Sequence, residues 1–159
     1  MSPILKRSNR PVAAAMALLI AALACSMLLV GCGNSTPDSA MRKFLAAWQA
    51  SDWEAYKSSV APSDRNLSKD QEDLAKQKFD QVKVKFTDVQ TKTDQDPKDK
   101  NKASVTLTGG KVTITAPILG ENKTQTRDIA PKKGSSQEPM KWSMVKVNGV
   151  WYVDMPLGL

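Results

Sequence analysis

One apolar stretch near the start of the chain limits the fold more than any other feature, because it cannot belong to a water-soluble domain. Residues 12–31 contain no charged side chain, and Lys6, Arg7 and Arg10 precede them. Basic residues stay on the cytoplasmic side while an apolar segment enters the bilayer, so this order is typical of an export signal. The folded domain must therefore be formed by the residues that follow.

The apolar stretch ends on a motif, Leu29-Val30-Gly31-Cys32. This motif resembles the lipobox of bacterial lipoproteins. The resemblance implies that the precursor is cleaved after Gly31 and that Cys32 carries the lipid as the new N-terminus. An ordinary transmembrane helix is the alternative interpretation, since 20 apolar residues can span a bilayer of about 30 Å.

These features divide the chain into three parts. We expect residues 1–31 to be a lipoprotein signal peptide, residues 32–36 a lipidated tether, and residues 37–159 one α+β domain. Both interpretations of the apolar stretch place that domain outside the cytoplasm, anchored to the membrane. Its net charge beyond residue 32 is only about +4, which is too small to predict nucleic-acid binding.

Three helices are predicted before any strand. Thr36 and Pro37 are typical of an N-cap and a first helical residue, and they begin a helix over 37–50. Its apolar stripe, at helical spacing, consists of Met41, Phe44, Leu45 and Trp48. The small polar residues before Thr36 suit a short tether.

Two capping boxes predict the second and third helices. Ser51 is paired with Glu54 in the first, and Ser68 with Gln71 in the second, which opens a helix to about residue 80. Pro62 is expected to end the helix between them. The expected apolar residues are Trp53, Tyr56 and Val60 in one helix, and Leu74, Ala75 and Phe79 in the other.

The apolar pattern then changes to strict alternation, which predicts antiparallel strands. Val82, Val84 and Phe86 alternate with polar residues in the first of them. Gly109-Gly110 is interpreted as a two-residue hairpin turn that pairs Thr108 with Lys111. That pairing places Val105, Leu107, Val112 and Ile114 on one face.

A second hairpin is predicted around Asn148-Gly149, with Val147 opposite Val150. Lys146 then lies opposite Trp151, where a cation–π contact is expected. Both faces of this hairpin carry apolar side chains, so we expect both to be covered, one by helices and the other by a loop, a ligand or a second copy.

Residues 44–56 and 142–154 resemble the two ends of exported domains of the nuclear transport factor 2-like (cystatin-like) superfamily. The first segment has an aromatic helix, a break and a second helix, and the second has the closing hairpin. The resemblance implies N-terminal helices packed on a curved antiparallel sheet that forms a cone with an open cavity. Members of that superfamily include enzymes and protein-binding modules, so the fold leaves the function open.

Several kinds of chemistry are excluded by composition. Residues 33–159 contain neither cysteine nor histidine, which excludes a disulfide framework and the usual zinc and copper sites. Asp94, Asp96 and Asp99 suggest a calcium loop, but the required glycine and final glutamate are missing. We interpret residues 94–102 as a solvated loop, and we expect neither a metal nor a cofactor.

The remaining candidate site is aromatic. A ligand or partner surface is expected among Trp48, Trp53, Tyr56, Trp142, Trp151 and Tyr152, with core packing as the alternative role for these residues. The expected function is that of a non-enzymatic envelope lipoprotein that binds a protein partner, a second copy or a small apolar ligand. The alternative is an isomerase- or dehydratase-type enzyme that uses Asp52, Glu54 or Asp154 for acid–base chemistry.

Overall fold

The computed structural model describes residues 35–117, 123–131 and 138–157. They belong to the second of the chain's two units, Gly33–Leu159, which has a hydrophobic core of its own. A unit with its own core can fold alone. Gly31 and Cys32 lie outside the described residues, as does the basic pair Lys132-Lys133. Within the described ranges, no helix is long and apolar enough to cross a membrane.

Helices come first in the domain. They are α1 (Pro37–Ala50), α2 (Trp53–Ser59), a 3₁₀ helix (Pro62–Arg65) and α3 (Lys69–Gln81). At the start of α1, Thr36 and Ser39 cap one another, and Pro37 is the first helical residue as predicted. The predicted capping box of Ser68 and Gln71 likewise opens α3.

The junction between α1 and α2 differs from the prediction by one residue. Asp52, not Ser51, is the N-cap of α2, and its carboxylate accepts the Ala55 N–H at 3.0 Å. Ser51 has a different role, because it ends α1 in the left-handed conformation (φ 55°) and donates its N–H to the carbonyl of Trp48. The predicted box of Ser51 with Glu54 is therefore wrong.

Helix α2 is also shorter than predicted. It ends at Ser59, because Val60 adopts an extended conformation and forms a parallel bridge with Val153 at the edge of the sheet. Pro62 begins the 3₁₀ helix instead of ending α2. In α3, Leu74 is 52% exposed, since this helix uses one narrow face, at Ala75 and Phe79, for packing.

Five antiparallel strands follow the helices. They are β1 (Lys83–Gln95), β2 (Lys102–Thr115), β3 (Thr124–Asp128), β4 (Lys141–Val147) and β5 (Val150–Val153), in the order β1-β2-β4-β5, with β3 also paired to β2. Strand β1 pairs along the whole of β2, while β4 and β3 pair with its first and second halves. The predicted α+β fold, with helices before a curled antiparallel sheet, is confirmed.

The predicted hairpin at Gly109-Gly110 is wrong, because β2 runs through both glycines and pairs with β1 instead of folding back. The register passes from Thr87↔Lys111 to Gln90↔Gly109 and then to Thr91↔Leu107, so each strand contains one extra residue. Gly110 has a φ of 98°, and a Cβ there would lie 2.5 Å from the Thr87 carbonyl oxygen. Only glycine fits at this crossing of two bulges.

The structure nevertheless has the apolar face that was predicted for β2. Val105, Leu107 and Val112 are at most 2% exposed, and Ile114 lies half-buried on the same side. The extra residue of a bulge shifts the alternation of faces by one position for all residues that follow it. A two-residue turn shifts the alternation in the same way. The face was therefore predicted correctly from a wrong turn.

The second hairpin is confirmed in its turn and its register. Asn148 and Gly149 both have positive φ, as a type I′ turn requires, and Val147 pairs with Val150. The expected cation–π contact is present, with the Lys146 Nζ atom 5.8 Å from the centroid of the Trp151 ring.

The two faces of this hairpin are covered unequally. On the inner face Met144, Trp151 and Val153 are at most 3% exposed. The outer face is only partly covered: the Arg65 guanidinium lies 5.2 Å from the Tyr152 ring, while Val150 is 36% exposed.

Candidate functional site

Four aromatic residues form a buried group between the helices, which we call the aromatic cluster: Phe44, Trp53, Tyr56 and Phe79. Tyr56 lies at its centre, with its ring centroid 4.9 Å from that of Phe44 and 4.7 Å from that of Phe79. None of the four is more than 9% exposed. Two of the predicted candidate residues, Trp53 and Tyr56, are therefore core residues.

Trp48 lies at the boundary of this cluster. Its ring centroid is 6.0 Å from those of Phe44 and Tyr56 on one side and 6.1 Å from that of Phe86 on the other. Phe86 belongs to the sheet, so the indole of Trp48 connects the buried cluster with the inner face of β1.

On the sheet side of Trp48 there is an open depression of about 220 Å³, which we call the cleft. It is lined by Trp48, Val84, Phe86, Val112, Ile114, Arg127, Met140 and Trp142. All but one of these side chains are apolar or aromatic, and a few convergent polar groups in an apolar concavity are typical of ligand sites. Of the six predicted aromatic candidates, Trp48 and Trp142 meet here.

The register of the sheet explains how the cleft is built. Two rows of residues cross β1, β2 and β3 on the inner face: Val84, Ile114 and Gln125 in one, and Phe86, Val112 and Arg127 in the other. These rows form the floor. Trp142 is paired with Val105 on the first half of β2, beyond the bulge, and forms a wall of the cleft.

Arg127 is the cation of this site. It lies on β3, whose five residues are all exposed, directly beside Val112 on the inner face. Among the residues that the structure describes, its guanidinium has no hydrogen bond and no ion pair. The pairing of β1, β2 and β3 is what brings Phe86, Val112 and Arg127 onto one face. Six of the lining residues were not among the predicted candidates: Val84, Phe86, Val112, Ile114, Arg127 and Met140.

The other two candidate aromatics lie away from the cleft. Trp151 is 3% exposed and belongs to the core, while Tyr152 is on the outer face of the β4–β5 hairpin under Arg65. Arg65 also donates hydrogen bonds to the carbonyls of Val60 and Ser58 at 2.7 Å, so it closes the C-terminal end of α2.

The pKa is raised for the buried Tyr56 and lowered for the carboxyls of Glu72 and Asp38. Burial raises the pKa of Tyr56 to about 12. The hydrogen bond from Lys57, 2.5 Å long, lowers the pKa of Glu72, and the hydrogen bond from Thr91 lowers that of Asp38. Each of these lowered carboxyl pKa values favours a permanent anion rather than an acid–base catalyst.

The three acids considered for catalysis have other surroundings. Asp52 is the N-cap of α2, Glu54 is exposed in its first turn, and Asp154 is exposed after β5. Asp154 faces a separate polar depression together with Asp94 and Asp96.

That polar depression lies beside the loop considered for calcium. The loop is shorter than predicted, covering residues 96–101, since Asp94 and Lys102 are strand residues. Asp96 accepts the N–H groups of Lys98 and Asp99, so its carboxylate stabilises the turn itself. Among the described residues, no group of acidic, histidine or cysteine side chains is arranged to hold a metal ion.

Comparisons with known proteins give little on function. No family model matches the chain, and no curated protein matches it. Solved structures similar to it include the solution structure of a SEC-C motif containing protein from Rhodopseudomonas palustris. That protein is 14% identical over 76% of this chain and 77% of its own, with a TM-score of 0.47.

Proposed function

We propose that this chain is a membrane-anchored envelope lipoprotein whose domain, without enzymatic activity, binds an apolar ligand in the cleft between α1 and the sheet. The observation that supports this most is the cleft itself, an open concavity with Trp48 and Trp142 as walls and the apolar side of β1 and β2 as floor. An apolar concavity that is open to water and carries a polar group at its rim is the usual form of a small-molecule site.

Export and anchoring complete the proposal. They rest on the basic residues at 6, 7 and 10, the charge-free stretch and the Leu29-Val30-Gly31-Cys32 motif. A lipid on Cys32 holds the domain at the extracytoplasmic face of the membrane.

For the fold, we propose the nuclear transport factor 2-like architecture in particular. The order of helices before a curled antiparallel sheet supports it, as does the placement of an open cleft between the first helix and the inner face of the sheet. In that architecture the concave side of the sheet is where ligands are held, which agrees with the position of Trp48 and Trp142.

The carboxylate-dependent enzyme has less support. Asp52, Glu54 and Asp154 do not line the cleft, and each has a structural or solvent-exposed position. A general acid or base must lie within hydrogen-bond reach of the bound substrate. None of the three meets that requirement for a molecule in the cleft.

Anchoring is tested by replacing Cys32 with Ala and labelling cells with a radioactive or alkyne-bearing fatty acid. We expect the wild-type chain to be labelled and processed, and the variant to stay unlabelled and uncleaved at residue 31. A matched variant, Cys25→Ala, should keep both labelling and processing. Labelling that persists in Cys32→Ala contradicts the proposal.

Binding is tested with residues 33–159 in detergent-free buffer and a neutral apolar dye whose fluorescence rises on burial. The comparison is between Trp142→Ser, in the cleft, and Tyr152→Ser, on the outer face. We expect the first substitution to weaken dye binding and the second to leave it unchanged, with circular dichroism showing that both variants fold. An affinity for the dye that is unchanged in Trp142→Ser contradicts the proposal.

A protein or a second copy is the other possible occupant, and crosslinking in intact membranes addresses it with the same two variants. A protein captured by the wild type and Trp142→Ser but lost in Tyr152→Ser places the interface on the outer face of the β4–β5 hairpin. That outcome would replace the small apolar ligand as the proposed occupant.

A further inference from the structure

We infer that the ligand of the cleft is a single-chain amphiphile with a carboxylate head, a molecule of the fatty-acid type, and that Arg127 binds this head. The inference rests on the proposed function and adds the chemistry of the ligand. It follows from three properties of the cleft: its lining, its size and the position of its one cation.

The lining selects an apolar tail. Seven of the eight side chains around the cleft are apolar or aromatic, and those of the floor, such as Val112 and Ile114, offer no hydrogen-bonding group. A polar ligand would have to leave its hydration shell without replacement, which is unfavourable. A hydrocarbon chain has no such hydration to lose, and each methylene group that it buries there favours binding.

The size limits the length of that tail. A volume of 220 Å³ has space for about seven groups the size of a water molecule, each of roughly 30 Å³. A methylene group is of comparable size, so the cleft holds about seven of them, and a chain of about eight to ten carbons leaves its last carbons and its head at the rim. Two-chain lipids are too large for it.

The position of Arg127 selects the head. Its guanidinium is at the exposed end of the row that starts at Phe86 and passes Val112, and it has no partner within the described part of the chain. A planar guanidinium binds a carboxylate through two parallel hydrogen bonds. One cation matches the single charge of a carboxylate better than the nearly doubled charge of a phosphate monoester.

Neighbouring charges do not change this selection. On the same three strands, Lys85, Lys111 and Asp128 belong to rows that face outward, because neighbouring positions along a strand alternate between faces. Among the described residues of these three strands, Arg127 is therefore the cation on the face that lines the cleft. Gln125, two positions earlier on the same face, offers a neutral amide beside it.

The proposed anchor would keep the domain near a source of such ligands. Four residues, 33–36, separate Cys32 from Pro37 at the start of α1, and the five residue steps between them span at most about 17 Å when extended. The domain then remains close to the membrane surface, where single-chain amphiphiles are concentrated.

The test compares three ligands that share a ten-carbon tail: decanoate, decanol and decyltrimethylammonium. Binding to residues 33–159 is followed by titration calorimetry and by the fluorescence of the tryptophans. We expect decanoate to bind about fivefold more tightly than decanol, because an exposed ion pair contributes up to that factor. The cationic ligand should bind most weakly, and added salt should reduce the differences.

Arg127→Gln should lower the affinity for decanoate about fivefold and leave that for decanol unchanged. Lys111→Gln is the matched control, since it removes the same charge from the outward face of the adjacent strand. The inference is contradicted if the preference for decanoate survives in Arg127→Gln, or if Lys111→Gln abolishes it equally. Equal binding of all three ligands overturns the assigned head but keeps the apolar site, whereas no binding of any of them overturns the proposed function as well.

Discussion

The aromatic cluster and the cleft are built from the same kinds of residues on the same helix, yet the cluster residues are buried in the core whereas Trp48 and Trp142 of the cleft are only partly buried. Trp53, Tyr56 and Phe79 also line a second open depression of about 240 Å³ beside α3. Phe44 and Trp48 are one turn apart on α1. The side chains around Phe44 are covered by α3, through Phe79, whereas the cleft beyond Trp48 has no covering helix in the described ranges. What separates the two regions is therefore the depth of burial of their side chains, and not the composition of the apolar surface.

Phe44→Ala and Trp142→Ala test this contrast most strongly. Phe44 is fully buried, so its truncation should lower the free energy of unfolding by about 3–5 kcal/mol. Trp142 is half-buried at the cleft, and its truncation should cost about 1–2 kcal/mol, although more atoms are removed. Urea unfolding measures both, and equal losses would contradict the distinction between the two regions.

The paired bulges that shape the floor of the cleft give the next largest effect. Gly110→Ala should destabilise the fold by about 2–3 kcal/mol, because the new Cβ has no room beside β1 and the backbone has a positive φ. Gly149→Ala is the matched control, with positive φ but open space around it, and should cost about 1 kcal/mol. Gly110→Ala should also weaken decanol binding, while Gly149→Ala should not.

Unfolding at alkaline pH tests the burial of Tyr56 in the aromatic cluster. Since burial raises the pKa of Tyr56 to about 12, the folded state holds this proton more tightly than the unfolded state, whose pKa is near 10. The resulting stability is complete below pH 10 and is lost as the pH rises from 10 to 12, by about 2 kcal/mol. Tyr56→Phe should remove this part of the pH dependence in unfolding measurements, and an unchanged alkaline profile would show that Tyr56 is accessible.

The smallest effect concerns the ion pair between Lys57 on α2 and Glu72 on α3. Lys57 lowers the pKa of Glu72, so the folded state binds this proton more weakly than the unfolded state. The associated stability is present above the ordinary value of 4.5 and is lost as the pH falls below it. Glu72→Gln should be less sensitive to acid between pH 5 and 3 than the wild type. Asp73→Asn, on a neighbouring exposed position of α3, serves as the control.

The sequence was most informative where one local signal had one structural meaning. Thr36 with Pro37, Ser68 with Gln71, and Asn148-Gly149 each have a single favourable backbone geometry, and each was predicted correctly. Trp48 and Trp142, two of the six predicted candidates, both line the cleft, whereas the other residues that line it were not predicted as candidates.

The wrong predictions arose where two geometries share one pattern. Gly109-Gly110 separates Val105 and Leu107, at odd-numbered positions, from Val112 and Ile114, at even-numbered positions. A two-residue turn and a bulge both produce this change from odd to even. The deciding partner, a bulge at Asp88 with φ 52°, lies more than 20 residues earlier in the chain. Arg127 was not predicted as a site residue for a related reason. Its strand, β3, has no alternation of apolar and polar residues, so only its pairing with β2 shows which face Arg127 occupies.

The same pair of bulges also interrupts the regular backbone of an edge strand. Strand β1 lies at an edge of the sheet, where a long row of free backbone groups invites another chain to add a strand. That row is interrupted at Phe86, whose N–H is bound by the Gln49 side chain at 2.7 Å, and again at Asp88, where the backbone turns out of register. An edge broken twice within three residues is a poor template for the addition of a strand from another chain.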